Sequence, residues 1–489
     1  MTTLLAIDQG TTSSRAMLFG TDGAVLDAEQ EGFAQHYPAD GWVEHAPADL
    51  WETTRRCVRA VLERATTPPA ALGITNQRET TLLWDRHTGA PAHPAIVWQD
   101  RRTAARCRAM REAGHEALVR ERTGLLIDPY FSASKLAWLL DGVEDARARA
   151  AAGDLCFGTV DSWLLWHLTG GAVHATDATN ACRTGLFGLA AQDWDDDLLA
   201  LYGVPRAIMP EVRDSAADFG TATREAIGAE IPICGVAGDQ QAALIGQAGL
   251  APGAIKSTYG TGCFVVLNTG DARVRSDHRL LTTVAYRMGG VPTYAIEGSI
   301  FVAGAAVQWL RDGLGLVGDA GETAALARRA RPDSRVVMVP AFTGLGAPHW
   351  DAEARGAIYG ITRDTGPAEL AAATLEAVAH QTADLVDAMR ADGGTIEGLR
   401  IDGGMVANDW FCQALCDLTG LPAERPVVAE TTAMGAAMLA GVQAGVFANL
   451  EEAGRMRRSG GSFTPAMPPE ARRVKRDAWA DAVQRTLTG

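Results

Sequence analysis

The chain opens on two apolar runs, residues 4–7 and 16–19, separated only by small, polar and hydroxyl-bearing residues. Runs of this length between Gly, Thr and Ser predict the two strands of a hairpin. A turn at Gly20, Thr21, Asp22 and Gly23 leads to a third strand over residues 24–28, so the start is antiparallel. From about Ala48 the period changes: Leu50, Trp51, Val58, Val61 and Leu62 recur at helical spacing, and residues 70–75 return to strand character. The order is β-β-β-α-β. Further on, residues 96–98 read as a short strand, a loop carrying Tyr130 enters a helix, and residues 231–236 form a buried strand before an Ala-rich helix. Residues 155–187 alternate apolar runs with Thr, Asp and Asn and support no single assignment.

The second half repeats the layout of the first. Residues 254–258 and 263–267 are strand-like around the tight turn of Tyr259, Gly260, Thr261 and Gly262. Helices come next over 301–311 and 367–390, then a strand over 399–401 and a helix opened by Asn408. Residues 433–442, nearly all small, predict a helix packed very close against a sheet. Gly- and Pro-containing residues 246–253 have the composition of a hinge, which divides the chain into domains 1–246 and 247–489. Two strand-turn-strand loops, one near the start of each half, imply a duplication in which like α/β domains face each other across a nucleotide.

The tip of the first hairpin is unlike an ordinary two-residue turn. Asp8, Gly10, Thr11, Thr12, Ser13, Ser14 and Arg15 bring backbone N–H groups, hydroxyls and one carboxylate together. Such a tip suits a phosphate chain with Mg2+, which keeps most of its water and takes few direct protein oxygens, so Asp8 is the candidate metal residue. An inert polar tip is the competing reading. Arg78 and Glu79 come after the strand 70–75, where parallel sheets present ligand-facing loops, although a solvated surface pair has the same signature. Asp239 sits just past the strand 231–236, placed either to accept a proton from an attacking hydroxyl or to cap the helix behind it. Asp402, Gly403 and Gly404 end a strand, and paired glycines let the backbone approach a ring or a phosphate.

Composition narrows the classes. At 489 residues two large domains or one very large α/β unit are expected, and 47% apolar content is that of an ordinary globular protein. A net charge of -15 argues against nucleic acid or an anionic membrane as partner. Lysine occurs only at Lys135, Lys256 and Lys475, none after a glycine, which excludes a Walker-type loop. Eight scattered cysteines without a Cys-x-x-Cys pair read as buried hydrophobes in a reducing compartment, and Cys412 and Cys416 lack neighbours that would complete a metal site. No basic stretch precedes the first apolar run and no run spans a bilayer, so a soluble cytoplasmic protein without membrane insertion is expected. The oligomeric state is open, and a homo-oligomer is allowed.

Asp8, the Thr261 turn and the 402–404 turn, in this order, resemble the actin-like ATPase superfamily. Residues 8–15, 73–80, 98–102, 238–241, 257–264 and 430–441 are similar to the glycerol-phosphorylating branch of the FGGY carbohydrate-kinase family, and the similarity runs from about residue 4 to 447. The resemblance implies two actin-like (ribonuclease H-like) domains closing on ATP-Mg2+ and glycerol. It implies an ATP:glycerol 3-phosphotransferase that makes sn-glycerol 3-phosphate, the first step of glycerol utilisation. By the same resemblance Arg78, Glu79, Tyr130, Asp239 and Gln240 hold the hydroxyls of glycerol, with Trp98 and Phe264 against its carbon edge. Asp239 takes the proton and Asp8 helps place the metal. Thr11, Thr12, Ser13, Arg15 and Thr261 contact phosphates, and Gly304, Gln308, Gly404 and Asn408 hold the nucleoside. A kinase for another polyol or ketose is the nearest alternative, and a non-catalytic actin-like ATP-binding protein is the alternative of another class.

Two departures concern regulation. Some members of this branch bind fructose 1,6-bisphosphate on a Gly-rich basic loop; here the corresponding residues 226–230 end in Glu230. Others are switched by phosphorylation of a histidine, and no histidine lies between His174 and His278. Neither control is expected, and loss of activity with submillimolar bisphosphate would contradict the first. Residues from Gly460 onward carry no motif.

Overall fold

In the computed structural model, which describes residues 2–351 and 353–488, the two opening apolar runs form strands Thr3–Gln9 and Ser13–Gly20. They pair antiparallel with Asp8 opposite Arg15, leaving residues 10–12 as the tip. Asp8 and Arg15 are therefore strand residues, held by the ladder rather than by a flexible loop. The third strand, Val25–Gly32, runs further than the apolar pattern predicts. It is an edge strand whose Asp27, Glu29 and Glu31 lie on the half-buried face, where Arg64 pairs with the first two and Arg56 with the third, so the charges are satisfied.

Strand Ala71–Asn76 lies parallel to Thr3–Gln9, and Ile231–Gly238 lies parallel to Ala71–Asn76. The sheet order is 221–222, 231–238, 71–76, 3–9, 13–20, 25–32. Register aligns Gln9 and Gly238 with Asn76, so three strands end at one edge and deliver their succeeding residues to one place. Helix Pro47–Arg64 packs its apolar stripe of Leu50, Val58 and Val61 on one face. Helix Thr431–Gln443 covers the other as closely as its small residues predict. A Cβ at Gly73 would lie 2.1 Å from the Ala436 carbonyl oxygen, and one at Gly435 would lie 1.9 Å from that of Ala242.

Residues 155–187 resolve into strand Leu155–Gly158, helix Val160–Leu168, strand Ala175–Asp177 and one-turn helix Ala178–Ala181. Hydrophobic periodicity misses them because the pieces are short and their polar residues are inside: Asp161, Asp177, Thr179, Asn180 and Arg183 are all buried. The strand expected over residues 96–98 is only Ala95–Ile96.

These elements belong to one of two units, formed by Met1–Leu250 with Thr282–Tyr294 and Glu430–Arg457. The other comprises Ala251–Leu281, Ala295–Ala429 and Arg458–Gly489. Its sheet includes strands in the order 263–270, 255–259, 399–402, 423–426, 459–463. Ile255–Tyr259 and Cys263–Gly270 form an antiparallel hairpin, and Ile255–Tyr259 lies parallel to Leu399–Asp402, repeating the first unit's arrangement. Helix Pro367–Ala391 begins where the Glu369 carboxylate accepts the Gly366 N–H at 2.9 Å. The helix expected from residue 301 starts at Gly304 and loosens after Gln308 into a π-turn over Trp309–Gly313. After Gly460 the chain completes strand Ser459–Phe463 and helix Pro469–Thr486, whose Trp479 stacks on His380 at 5.1 Å between ring centres. All eight cysteines are free and buried. Among the described residues no helix is long and apolar enough to cross a membrane.

Candidate active site

At the shared strand edge of the first unit, Arg78 and Glu79 are nearly inaccessible, each about 2% exposed, so they are not a solvated surface pair. The Thr80 N–H donates to the Arg78 carbonyl at 2.7 Å, closing a three-residue turn with Glu79 at φ +62°. A non-glycine residue there costs about 1–3 kcal/mol and persists only where its surroundings fix it. The Glu79 carbonyl accepts from the hydroxyls of Ser132 (2.9 Å) and Thr81 (3.0 Å), and its carboxylate accepts from Arg183 Nε at 2.7 Å.

Arg78 faces two carboxylates. Its Nε lies 3.1 Å from Asp239 Oδ1 and 3.9 Å from Glu79 Oε1, while Nη1 donates to Gln241 Oε1 at 3.2 Å. Asp239 is the first residue of helix Asp239–Gly246, and extended Gly238 holds the cap position. The Asp239 side chain, about 31% exposed, lies beside Arg78. The Gln240 backbone N–H donates to Asp239 Oδ1 at 2.7 Å. Tyr130 is half-buried, with its hydroxyl 3.4 Å from Arg78 Nη2. Its ring meets Trp98 edge-on at 5.7 Å, and Trp98 Nε1 donates to Thr11 Oγ1 at 3.0 Å. One indole thus ties the pocket wall to the hairpin tip.

Buried Asp177 supports these strand ends. It caps helix Ala178–Ala181 by accepting from the Thr179 and Asn180 N–H groups. Thr179 Oγ1 in turn accepts the Gly238 N–H at 2.9 Å, and Asn180 pairs with Asn76 at 3.0 Å. Sequence reasoning missed Asp177, Thr179, Asn180 and Arg183. The Asp-x-x-Asn spacing of Asp177 and Asn180 is a capping signal. Asp177 stands 61 residues before Gly238 and 101 after Asn76, so local spacing does not connect it to the strand ends it supports.

At the hairpin, the Gly10 N–H donates to the Ser13 carbonyl at 2.9 Å. Gln77 Nε2 donates to the Gly10 carbonyl at 3.0 Å, joining tip to strand end. Thr11 and Ser13 are half-buried and Thr12 is exposed. Arg15 is held by Glu430 at 3.0 Å and by the Gln30 carboxamide oxygen. Burial pushes the Asp8 carboxyl up to about 6; Arg15 opposes the rise, and the charges of Asp239 and Glu430 add to it. Arg78 already matches Asp239, so Asp8 and Glu430 share Arg15 as counter-charge and this corner of the unit is short of positive charge.

The second unit contains a cavity of about 480 Å³ whose lining includes Thr261, Gly304, Gln308, Gly404 and Asn408. All five residues expected from the sequence to serve the nucleotide in this half therefore share one pocket. Its walls come together because backbones nearly touch: a Cβ at Gly304 would lie 2.6 Å from the Gly260 carbonyl oxygen. At Gly403, φ +91°, a Cβ would lie 2.4 Å from that of Tyr259. Asn408 caps helix Asp409–Thr419 by accepting the Phe411 N–H at 3.1 Å, and its amide donates to Thr323 at 3.3 Å. Phe264, half-buried on strand Cys263–Gly270, also belongs to this unit.

Family models and known proteins match the chain over nearly its whole length. Residues 3–246 match the N-terminal domain of the FGGY family of carbohydrate kinases, and residues 255–444 match its C-terminal domain. The chain is 59% identical to a glycerol kinase of Alcanivorax borkumensis over 486 residues, covering 99% of this chain and 98% of that protein. It is 60% identical to a glycerol kinase of Rhodospirillum centenum over 489 residues, covering 99% and 98%. Plasmodium falciparum glycerol kinase, solved with ADP, superposes with a TM-score of 0.94 at 33% identity, covering 100% of this chain and 99% of that one. A Lactobacillus acidophilus xylulose kinase, at 18% identity and TM-score 0.89, shares the fold.

Proposed function

The chain belongs to the FGGY family of carbohydrate kinases, and we propose that within it the protein transfers the γ-phosphoryl group of ATP to glycerol, giving sn-glycerol 3-phosphate. The observation that carries the reading is the Asp239 carboxylate, partly open and 3.1 Å from Arg78, which also lies beside Glu79 and the Tyr130 hydroxyl, with Trp98 against the Tyr130 ring. A triol has no charge to grip, so it is recognised by hydrogen bonds on an apolar edge. A pocket built for those bonds rejects analogues that leave its polar groups unpaired.

Glu79 accepts from a glycerol hydroxyl, Arg78 and Gln240 donate, and Tyr130 does either. Trp98 and Phe264 cover the carbon edge. Asp239 accepts the proton of the attacking hydroxyl as the oxygen reaches phosphorus, a contribution typically worth about 10²–10⁴-fold in rate. The tip formed by Thr11, Thr12 and Ser13, with Arg15 and Thr261, holds phosphate oxygens. Gly304, Gln308, Gly404 and Asn408 hold the nucleoside. In this reading domain 1–246 carries glycerol and the first phosphate loop, and domain 247–489 the second loop and the adenosine site.

Mg2+ fits the donor set at the hairpin. Asp8, Asp239 and Glu430 are hard oxygen donors in a field short of positive charge, where burial and mutual repulsion hold the Asp8 carboxyl at about 6. Among the described residues no three or more His, Cys, Asp or Glu side chains form a metal cage, and Mg2+ needs none, since water and phosphate supply most of its ligands. Asp8 would hold it through water. Bound there, the ion neutralises phosphate charge during transfer. The chain's own work is to orient the acceptor and to exclude water that would hydrolyse ATP. We place the protein in the cytoplasm.

The test is ADP release from ATP-Mg2+ with glycerol, dihydroxyacetone, xylulose, ribulose or erythritol against a blank without acceptor. Strong preference for glycerol with recovery of sn-glycerol 3-phosphate supports the proposal. Equal slow release in every arm would refute it and leave an ATPase of the same fold.

A further inference from the structure

Arg183 is a fully buried guanidinium that lies outside the phosphate loops and the acceptor motif. It comes just after the one-turn helix Ala178–Ala181 that Asp177 caps, and its Nε lies 2.7 Å from the Glu79 carboxylate. Its guanidinium carbon stands 5.7 Å from the Tyr130 ring centre and 5.4 Å from that of Phe131, so the aromatic rings restrict the plane of the group. Glu79 is thereby fixed from both sides, its carbonyl by Ser132 and Thr81 and its carboxylate by Arg183.

The distances around Arg78 show the consequence. Placed between two carboxylates, it leans toward Asp239 at 3.1 Å and away from Glu79 at 3.9 Å. That lean is favourable where another cation already neutralises Glu79. Resting on the reading of glycerol as acceptor, we propose that Arg183 is a positioning residue for acceptor recognition: by engaging Glu79 it aims that carboxylate at a substrate hydroxyl and leaves Arg78 to Asp239. Lysine would keep the charge but not the planar fork, and so would lose the aim while retaining the neutralisation.

The experiment compares the full-length parent, Arg183→Lys, Glu79→Gln and the double variant Glu79→Gln/Arg183→Lys. The readouts are KM for glycerol, the ratio of kcat/KM for glycerol over propane-1,2-diol, and the Kd for ATP-Mg2+. Arg183→Lys should raise KM and lower the ratio, each by about tenfold, because a hydrogen-bonding site whose donor and acceptor are misaligned discriminates poorly. The Kd for nucleotide should stay unchanged. The double variant should discriminate no worse than Glu79→Gln alone, since Arg183 acts through Glu79. A merely structural arginine would alter stability without moving the ratio. Glycerol KM and ratio within twofold of the parent in Arg183→Lys would overturn the proposal. If Arg183→Lys does not fold, Glu79→Gln/Arg183→Gln replaces it: a ratio equal to that of Glu79→Gln supports the role, and a further loss overturns it. A parent inert toward glycerol overturns the kinase reading itself, whereas an active parent with an unaffected Arg183→Lys overturns this inference alone.

Discussion

Replacing Asp239 with Asn changes one oxygen to an amide in the group that carries the functional reading. Its carboxylate is about 31% exposed and bonded to the Gln240 N–H. The variant keeps size and one acceptor oxygen but cannot take a proton. Loss of a general base costs about 10²–10⁴ in kcat, or about 3–5 kcal/mol of transition-state stabilisation. Folding should suffer much less. Arg78 stays beside Glu79 and the Gln241 carboxamide, and the Asn oxygen still accepts from its Nε, so only the charge part of one partly solvated pair goes, about 1 kcal/mol. Coupled ADP release with glycerol gives kcat, equilibrium dialysis with ATP-Mg2+ gives nucleotide affinity, and thermal melting reports folding. The expected result is a kcat reduced about a thousandfold with Kd for ATP-Mg2+ little changed. A kcat within tenfold of the parent would refute the base assignment, and a loss of nucleotide binding of the same size as the loss of kcat would refute the separation of roles.

Stability should respond at two other places. A Cβ at Gly435 would meet the Ala242 carbonyl oxygen at 1.9 Å and the Gly246 nitrogen at 3.0 Å, so Gly435→Ala should destabilise by about 1–3 kcal/mol despite its better helix propensity. Gly142, with no atom within 4 Å of a Cβ, should tolerate alanine, and equal melting of the two variants would contradict the packing argument. Burial pushes His167 down to about 4, and the ring lies between Trp51 and Trp163 at 5.0 and 4.2 Å. A folded value below the ordinary 6.5 means stability is full above about 6.5 and is lost as pH falls from there toward about 4, by up to ~1.4 kcal/mol per pH unit. His167→Phe removes that titration and should flatten the fall in melting temperature between pH 7 and 5; an unchanged slope would show that His167 does not contribute to it.

Much of the first unit was legible because its sheet obeys simple rules. Apolar runs over 4–7, 16–19, 70–75 and 231–236 marked the strands that form as 3–9, 13–20, 71–76 and 231–238, and Arg78, Glu79 and Asp239 each stood just past a strand end. The duplicated hairpin at residues 255–270 was legible for the same reason. Polar burial decides the parts that stayed hidden. Val25–Gly32 extends through charged residues because Arg56 and Arg64 of the neighbouring helix pair with Asp27, Glu29 and Glu31 on its half-buried face. Residues 155–187 hold Asp177 and Arg183 among short elements whose inward side chains mix polar with apolar, so a reading based on apolar period finds no clear signal there. The supporting residues of a site are legible only once the partners they hold are known to be near.

Charge balance explains why the two ends of the first unit's site differ. In the proposed acceptor site, the guanidinium groups of Arg78 and Arg183 match the carboxylates of Glu79 and Asp239 in number and lie close to them. A balanced set suits a neutral triol: it offers directed donors and acceptors while giving no advantage to an ion competing for the pocket. At the hairpin the balance fails, since Arg15 is shared between Glu430 and Gln30 while half-buried Asp8 lies in the field of Glu430 and of Asp239, which Arg78 already pairs. With Arg15 as the guanidinium of this loop and no lysine in the tip, its own side chains leave a phosphate chain under-neutralised. In the proposed reading a cation arrives with the nucleotide, so ATP bound to Mg2+, rather than free ATP, is the form expected at this loop.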